Sequence, residues 1–199
     1  MKQGQFSTMQ MDALKEVSNI GTGNAATALS MMLGKKIDMT VPSVNLIEFA
    51  TLIDNVGERE GAGIIVRVLG DIPGNILIVL DKEVAFNMIE LLTGIETKEF
   101  TEMGKSALCE IGNILSGAYM NAISQFTGLN AIASVPAITY DMLSAILTTT
   151  FMESGQYDEY ILDIETLFLN EDKENVGLHF YYIPVPGSLE KILEIIGLN

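Results

Sequence analysis

The sequence predicts an α+β fold made of two internally duplicated helix–strands–helix units, with helices packed on a largely antiparallel sheet about a pseudo-twofold axis. Three observations predict it: an internal repeat, a long amphipathic helix at the start of each copy, and strand-like runs after each helix. When the sequence is aligned with itself at an offset of 94 residues, residues 12–42 match residues 106–136 with 11 identities in 31 positions. Residues 1–199 are therefore interpreted as a single domain of two homologous halves, residues 8–94 and 102–197.

A helix is predicted to open each copy, because apolar side chains recur on one side of a helical wheel. The first helix is predicted over residues 8–33, and its equivalent begins 94 residues later. Gly34 and Gly128 are expected to end these helices, since glycine readily adopts the left-handed C-cap conformation. The apolar positions are Leu14, Val17, Gly21, Ala25, Ala28 and Met32 in the first copy, and Leu108, Ile111, Leu115, Tyr119, Ala122 and Phe126 in the second.

Strand-like runs follow each helix, and a second helix closes each copy. The register of the repeat slips from 94 to about 104 residues in the closing helices, which places about ten extra residues in the acidic stretch 153–175. Residues 142–152 receive no assignment. The predicted strands are residues 37–47, 64–69, 75–80, 132–139, 160–169 and 178–183, and the closing helices are residues 82–92 and 188–196.

Composition excludes several classes of function. The net charge of -15 repels nucleic acid and anionic lipid, so neither partner is expected. The uncharged stretch over residues 111–140 is interrupted by several polar side chains, which indicates buried structure instead of a membrane span. The single cysteine cannot form an internal disulfide, and no signal peptide is recognised at residues 1–12, so a cytoplasmic location is expected.

The polar face of the repeated helix is the candidate functional surface. On a helix that advances 100° per residue, four positions of each copy fall within about 60° of one another, opposite the apolar stripe. Glycine and asparagine are poor helix formers, which favours a functional reason for their presence. The alternative is an ordinary solvated face that was copied with the helix. The positions are Asp12, Glu16, Asn19 and Gly23 in the first copy, and Ser106, Glu110, Asn113 and Gly117 in the second.

Other reactive side chains give weaker signals. His179 is the only histidine and lies in a strand-like run, where a half-buried structural role is favoured. Cys109 lies beside Glu110 without a base in the adjacent sequence to activate it, so an inert thiol is favoured. With one histidine and one cysteine, the sequence offers no zinc site and no sign of a catalytic triad.

The spacing of the polar residues resembles the signature of the CheC-type chemotaxis phosphatases, a family that also includes CheX and the middle domain of FliY. The signature is Asp or Ser, then Glu, Asn and a later Pro, and this chain carries it twice at identical spacing. The phrase NIGTGNAATALS is similar to the CheC branch of the family. The two copies are Asp12, Glu16, Asn19 and Pro42, and Ser106, Glu110, Asn113 and Pro136.

The resemblance implies hydrolysis of the aspartyl phosphate on the response regulator CheY. It implies that Asn19 and Asn113 orient the attacking water, and that Glu16 and Glu110 pair with a lysine of the regulator during docking. No cofactor of this chain's own is expected, because the regulator holds the magnesium ion. A binding module for CheY or for the flagellar switch complex, without catalysis, is the competing interpretation, and a ligand-binding domain is a third.

The resemblance also implies a second partner, the receptor deamidase CheD. In the family an acidic residue after the second motif's proline contributes to that contact, and Asp141 matches its position. Asp141 is also the only charged residue between Glu110 and Glu153. A partner contact is favoured for Asp141, and a structural cap is the alternative.

Overall fold

The order of secondary structure elements repeats along the chain. The computed structural model describes residues 7–154, 160–169 and 175–195. The first copy comprises α1 (Thr8–Leu33), β1 (Asp38–Glu48), α2 (Phe49–Val56), β2 (Glu60–Gly70), β3 (Gly74–Asp81) and α3 (Lys82–Thr93). The second comprises α4 (Glu102–Thr127), β4 (Ala131–Ala133), β5 (Ala137–Met142), α5 (Leu143–Ser154), β6 (Tyr160–Leu169), β7 (Asn175–Pro184) and α6 (Ser188–Ile195). The duplicated α+β fold is confirmed.

The two long helices have equivalent ends as well as equivalent lengths. At the start of α1 the Gln10 N–H donates to the Ser7 hydroxyl, and the Ser7 N–H donates back to the Gln10 side chain, which is a capping box. At the equivalent position of α4 the Thr101 hydroxyl accepts from Gly104 N–H. Both helices end at a left-handed glycine, Gly34 with φ 61° and Gly128 with φ 73°. The predicted helix ends are therefore confirmed.

Two helices were missed by the sequence patterns. α2 is only 8 residues long, and Leu52 and Val56 are its buried positions, so its periodic signal covers two turns. α5 occupies most of the unassigned stretch 142–152, where threonine and apolar residues show no clear polar face. Its burial identifies it as a helix packed on the sheet, since Leu143, Ile146, Leu147 and Phe151 are buried at helical spacing.

The predicted strand over residues 132–139 is divided into β4 and β5. Residues 134–136 separate them, and Pro136 has no N–H to donate to a sheet. The equivalent strand β1 is continuous, but its register shifts between Thr40 and Ser43, next to Pro42. Each copy thus deforms its first strand at the same proline, by a bulge in one copy and a break in the other.

Parts of the acidic stretch, residues 155–159 and 170–174, lie outside the described residues.

One antiparallel sheet combines strands from both copies. The strand order is β1-β6-β7-β3-β2-β4, and β5 also pairs with β2. The third strands, β3 and β7, pair at the centre, and the first strand of each copy pairs with the second strand of the other copy. This arrangement is symmetric about an axis between β3 and β7, so the two copies are interlocked.

Helices cover both faces of the sheet. On the first face, Ile76, Ile78 and Leu80 of β3 join a core with α1, α3, α4 and α6. On the second face, Leu77 and Val79 join a separate core with α2 and α5. Alternating side chains of one strand therefore supply two cores.

α1 packs closely against α4 where Gly21 meets Tyr119. A Cβ atom at Gly21 would lie 3.0 Å from Cδ1 and 3.1 Å from Cα of Tyr119. The tyrosine hydroxyl shares hydrogen bonds with Thr22 of α1 at 2.6 Å and Thr166 of β6 at 3.1 Å. Its ring stacks on Phe180 with centroids 4.2 Å apart. Tyr119 thus joins both long helices to the sheet.

Two glycines of α4 differ in how closely they pack against the sheet. A Cβ at Gly112 would lie 2.5 Å from Cγ2 of the buried Ile64, whereas a Cβ at Gly117 meets nothing within 4 Å. Both substitutions to alanine gain the same helix propensity, so Gly117→Ala should raise the free energy of unfolding by about 1 kcal/mol. Gly112→Ala should be about 1–3 kcal/mol less stable than Gly117→Ala because of overpacking. Equilibrium urea denaturation measures both, and equal stabilities would contradict this packing.

Candidate functional site

The polar stripes of α1 and α4 lie on the outside of the molecule. Glu16 and Asn19 of α1 are exposed, and so are Glu110 and Asn113 of α4. Their side chains form no hydrogen bond or ion pair with any residue that the structure describes. Because solvent satisfies these groups, they are free to bind an incoming partner. The structure also places Asp12, Gly23 and Ser106 in exposed positions and Gly117 in a half-buried one.

The local geometry makes each stripe a compact polar surface. Glu16 and Asn19 are three residues apart, which separates them by about 4.5 Å along the helix axis. Gly23 follows one turn after Asn19, and a Cβ there would meet nothing within 4 Å. A carboxylate, a carboxamide and an open stretch of backbone are therefore available together. Glu110, Asn113 and Gly117 repeat the arrangement on α4.

The apolar side of the same helices fixes which residues face outward. Leu14 and Val17 of α1 are buried, as are Leu108 and Ile111 at the equivalent positions of α4. Since Glu16 and Glu110 lie on the opposite side of their helices from these anchors, packing against the sheet directs the polar stripe away from the core.

The motif prolines do not join the polar stripes. Pro42 lies within β1 at its register shift, and Pro136 lies between β4 and β5. Their positions assign them to the shape of each copy's first strand. The sequence motif therefore combines two kinds of position, surface positions on the helix and a strand position that shapes the fold.

Asp141 lies on the other side of the sheet from α1 and α4. It is the penultimate residue of β5 and pairs with Gly61 of β2. A Cβ atom placed on Gly61 would contact Leu143 of α5, so Gly61 faces α5. Paired residues point to the same side, so the exposed Asp141 side chain lies on the face that α5 covers. The Met142 N–H donates to its carboxylate at 2.7 Å. Asp141 is thus exposed and also makes one local backbone contact.

His179 and Cys109 occupy structural surroundings. Nδ1 of His179 lies 3.1 Å from Oδ1 of the buried Asp163, and this hydrogen bond raises the pKa of the histidine against the opposing effect of burial. Burial raises the pKa of the Cys109 thiol, which disfavours the reactive thiolate. The contact with Asp163 and the raised pKa of the Cys109 thiol agree with structural roles, but the His179 side chain is exposed and not half-buried as expected.

The hydrogen-bonded chain of Thr22, Tyr119 and Thr166 is a feature that the sequence analysis missed. It links α1, α4 and β6 and joins residues 97 and 47 positions apart in the chain. A periodic pattern reports which face of a helix is buried, and it carries no information on such distant partners.

In the part of the chain that the structure describes, no group of three or more His, Cys, Asp and Glu is placed to hold a metal ion. Among the same residues, no helix combines the length and apolar character needed to cross a membrane.

Comparison with known proteins identifies relatives of this chain. Residues 9–46 and 103–140 each match the CheC-like family, so the match is itself duplicated. The chain is 35% identical over 198 residues to the CheY-P phosphatase CheC of Bacillus subtilis, covering 96% of this chain and 95% of that protein. It is 34% identical over 123 residues to the flagellar motor switch phosphatase FliY of the same organism, covering 62% of this chain and 30% of that protein.

A solved structure shares the fold. The crystal structure of FliY from Thermotoga maritima superposes with a TM-score of 0.82 at 23% identity, covering 96% of this chain and 97% of that one. The duplicated sequence match, the 35% identity over nearly the full length and the shared fold agree with one another. The chain therefore belongs to the CheC-like family.

Proposed function

We propose that this chain is a phosphatase that hydrolyses the aspartyl phosphate of the chemotaxis response regulator CheY, with one active surface on α1 and another on α4. The observation that carries the proposal is the repeated, exposed Glu and Asn pair, whose side chains have no partner among the described residues. The pair occurs in a chain 35% identical over 96% of its length to a CheY-P phosphatase. The regulator is cytoplasmic in this proposal, so the same compartment is proposed for this chain.

The rate of this reaction depends more on the orientation of the attacking water than on a strong base. Water attacks the phosphorus, the bond to the aspartate oxygen breaks, and the products are inorganic phosphate and the free aspartate of the regulator. Because the transition state is loose, positioning of the water and electrostatic stabilisation supply most of the acceleration. The regulator contributes its own magnesium ion and lysine, so no cofactor is proposed for this chain.

The carboxamide of Asn19 or Asn113 fits the positioning role. Its oxygen can accept a hydrogen bond from the attacking water, and its N–H groups can donate to the water or to a phosphoryl oxygen. Neither carboxamide is bonded to another described residue, so docking of the regulator breaks no hydrogen bond in the part of the chain that the structure describes. The absence of a side chain at Gly23 and Gly117 leaves room for the regulator to approach each helix.

The carboxylate of Glu16 or Glu110 fits a docking role. Each lies one turn before its asparagine, so a lysine bound to the carboxylate would place the phosphoryl group next to the carboxamide. An ion pair that excludes water across such an interface is stronger than an exposed one. This arrangement separates binding, through Glu, from orientation of the water, through Asn.

The two surfaces are expected to act independently, because each uses residues of a single helix. Asn19→Ala and Asn113→Ala should each leave part of the activity, and the two remaining rates should add up to the rate of the wild-type chain. The double variant should lose about 100-fold or more, as expected on removing a group that orients the reacting atoms. Phosphate release from phosphorylated CheY measures all four rates. Full activity in the double variant would favour the non-enzymatic binding module.

The docking role of the glutamates predicts a change in KM. In the Asn113→Ala chain, where only the α1 surface is active, Glu16→Gln should raise KM about tenfold and change kcat less, because the ion pair forms before the transition state. Glu90→Gln, on the exposed side of α3, removes the same charge elsewhere and is the matched control. An equal effect of both substitutions would show that net charge, and not Glu16, controls docking.

We also propose that CheD binds through Asp141. The exposed carboxylate lies on the sheet face opposite α1 and α4, so a partner bound there would leave both polar stripes accessible. The single contact with the Met142 N–H supports the competing structural role.

Two substitutions at Asp141 separate these roles. Asp141→Asn keeps an oxygen that accepts from Met142 and removes the charge, whereas Asp141→Lys removes the acceptor and reverses the charge. We expect Asp141→Lys to weaken CheD binding at least about tenfold and Asp141→Asn to weaken it by a smaller factor, in line with a charged contact. Titration of CheD measures both affinities. Unchanged affinity in the folded Asp141→Lys chain would remove Asp141 from the interface.

A further inference from the structure

Comparison of α1 with α4, position by position, isolates a repeated exposed methionine. Eight helix positions are exposed in both copies, and only three of them hold the same residue in both. The three are Met9 with Met103, Glu16 with Glu110, and Asn19 with Asn113. The five that differ are Thr8 with Glu102, Asp12 with Ser106, Thr27 with Asn121, Met31 with Gln125, and Met32 with Phe126.

The two methionines are well exposed. Met9 is 66% exposed and Met103 is 59% exposed, in the first turn of their helices. A large apolar side chain in water gives the folded chain little stabilisation, so core packing does not account for the repeat. Two of the three unchanged exposed positions already belong to the proposed active surfaces, and the methionine is the third.

Helix geometry places each methionine on the same stripe as its Glu and Asn pair. Met9 precedes Glu16 by seven residues, which is about 10.5 Å along the axis and about 20° around it. Met9, Glu16 and Asn19 therefore lie within about 80° of one another, with the methionine at the N-terminal edge. Met103 has the same relation to Glu110 and Asn113.

We propose that Met9 and Met103 are docking contacts for an apolar patch of phosphorylated CheY, one for each active surface. This inference rests on the proposed phosphatase function and extends the same two sites. Methionine suits the role because its flexible thioether packs against surfaces of varied shape. Protein interfaces commonly combine apolar contacts with a polar group that fixes orientation, and here the methionine supplies the first and Glu with Asn the second.

The position of the methionines favours the regulator over a second copy of this chain as the occupant. Each methionine shares a stripe with a Glu and Asn pair, so a dimer that buried the methionine would also cover the carboxylate and the carboxamide. The regulator needs access to all three groups at once.

Single-surface variants make the test specific. In the Asn113→Ala chain, Met9→Gln should raise KM for phosphorylated CheY about fivefold, with kcat within about twofold, because an apolar contact stabilises the docked complex and the transition state equally. Met103→Gln should have no effect in that chain. In the Asn19→Ala chain the two substitutions should exchange their effects.

Met31→Gln is the matched control on the same helix. Met31 is 80% exposed and lies 12 residues beyond Asn19, and α4 carries glutamine at the equivalent position. It should leave KM unchanged. The affinity of each variant for CheY activated with beryllofluoride gives a binding readout that does not require catalysis.

The outcomes separate this inference from the proposed function. Unchanged affinity for beryllofluoride-activated CheY in Met9→Gln and Met103→Gln, an equal effect of Met31→Gln, or a shift of oligomeric state in size-exclusion chromatography would overturn the methionine contacts. Absence of phosphate release by the wild-type chain would instead overturn the phosphatase function. Weaker binding by the Met9 and Met103 variants would then still support the docking contact.

Discussion

The close packing of α1 against α4 is the contact on which the remaining structure depends. Gly21 allows the backbone of α1 to approach Tyr119 closely, and a side chain at this position would crowd both the ring and the backbone of α4. The hydroxyl of Tyr119 then bonds to α1 and to the sheet, so its position fixes the rotation of both helices relative to the strands. Once that rotation is set, the outward stripe of each helix is also set. The orientation of Glu16 and Glu110 follows from groups buried on the other side of the helix.

The whole sheet also depends on both copies, because the first strand of each copy pairs with the second strand of the other. β1 pairs with β6 of the other copy, and β4 and β5 pair with β2, so neither copy completes its part of the sheet alone. Loss of one copy would leave strands of the other unpaired, which is costly for buried backbone groups. The scaffold must therefore keep both copies, whereas outward positions can diverge. Lys15 and Cys109 occupy equivalent positions and differ in charge and exposure, while the Glu and Asn at nearby positions are the same.

The sequence predicted the features that depend on local pattern. The helix over residues 8–33, its glycine end and the polar stripe all follow from periodicity and capping, which act within a few residues. The features that it missed depend on distant partners. α5 lacks a clear polar face because its exposed positions hold alanine, threonine and methionine. The packing of Ile146 and Leu147 on the sheet is visible only once the sheet is known. The pairing of Thr22 with Tyr119 likewise joins residues 97 positions apart. The exposure of Met9 and Met103 could be recognised only when the burial of every helix position was known.

When a partner docks on a surface of solvated polar groups, removing water from those groups costs free energy, and the contacts formed must offset that cost. Glu16 and Asn19 are exposed and unpartnered among the described residues. In the proposed complex both would exchange water for contacts with the regulator, and such exchanges give small net free energies. An apolar contact at the edge of the stripe would add a favourable free energy that does not depend on ionic strength, whereas the proposed ion pair of the glutamate would weaken as salt screens it. In the proposed arrangement the methionine would supply affinity, the glutamate register and the asparagine orientation of the water. Each role needs a different side chain, and these are the three positions of α1 and α4 that are exposed in both copies and have not diverged.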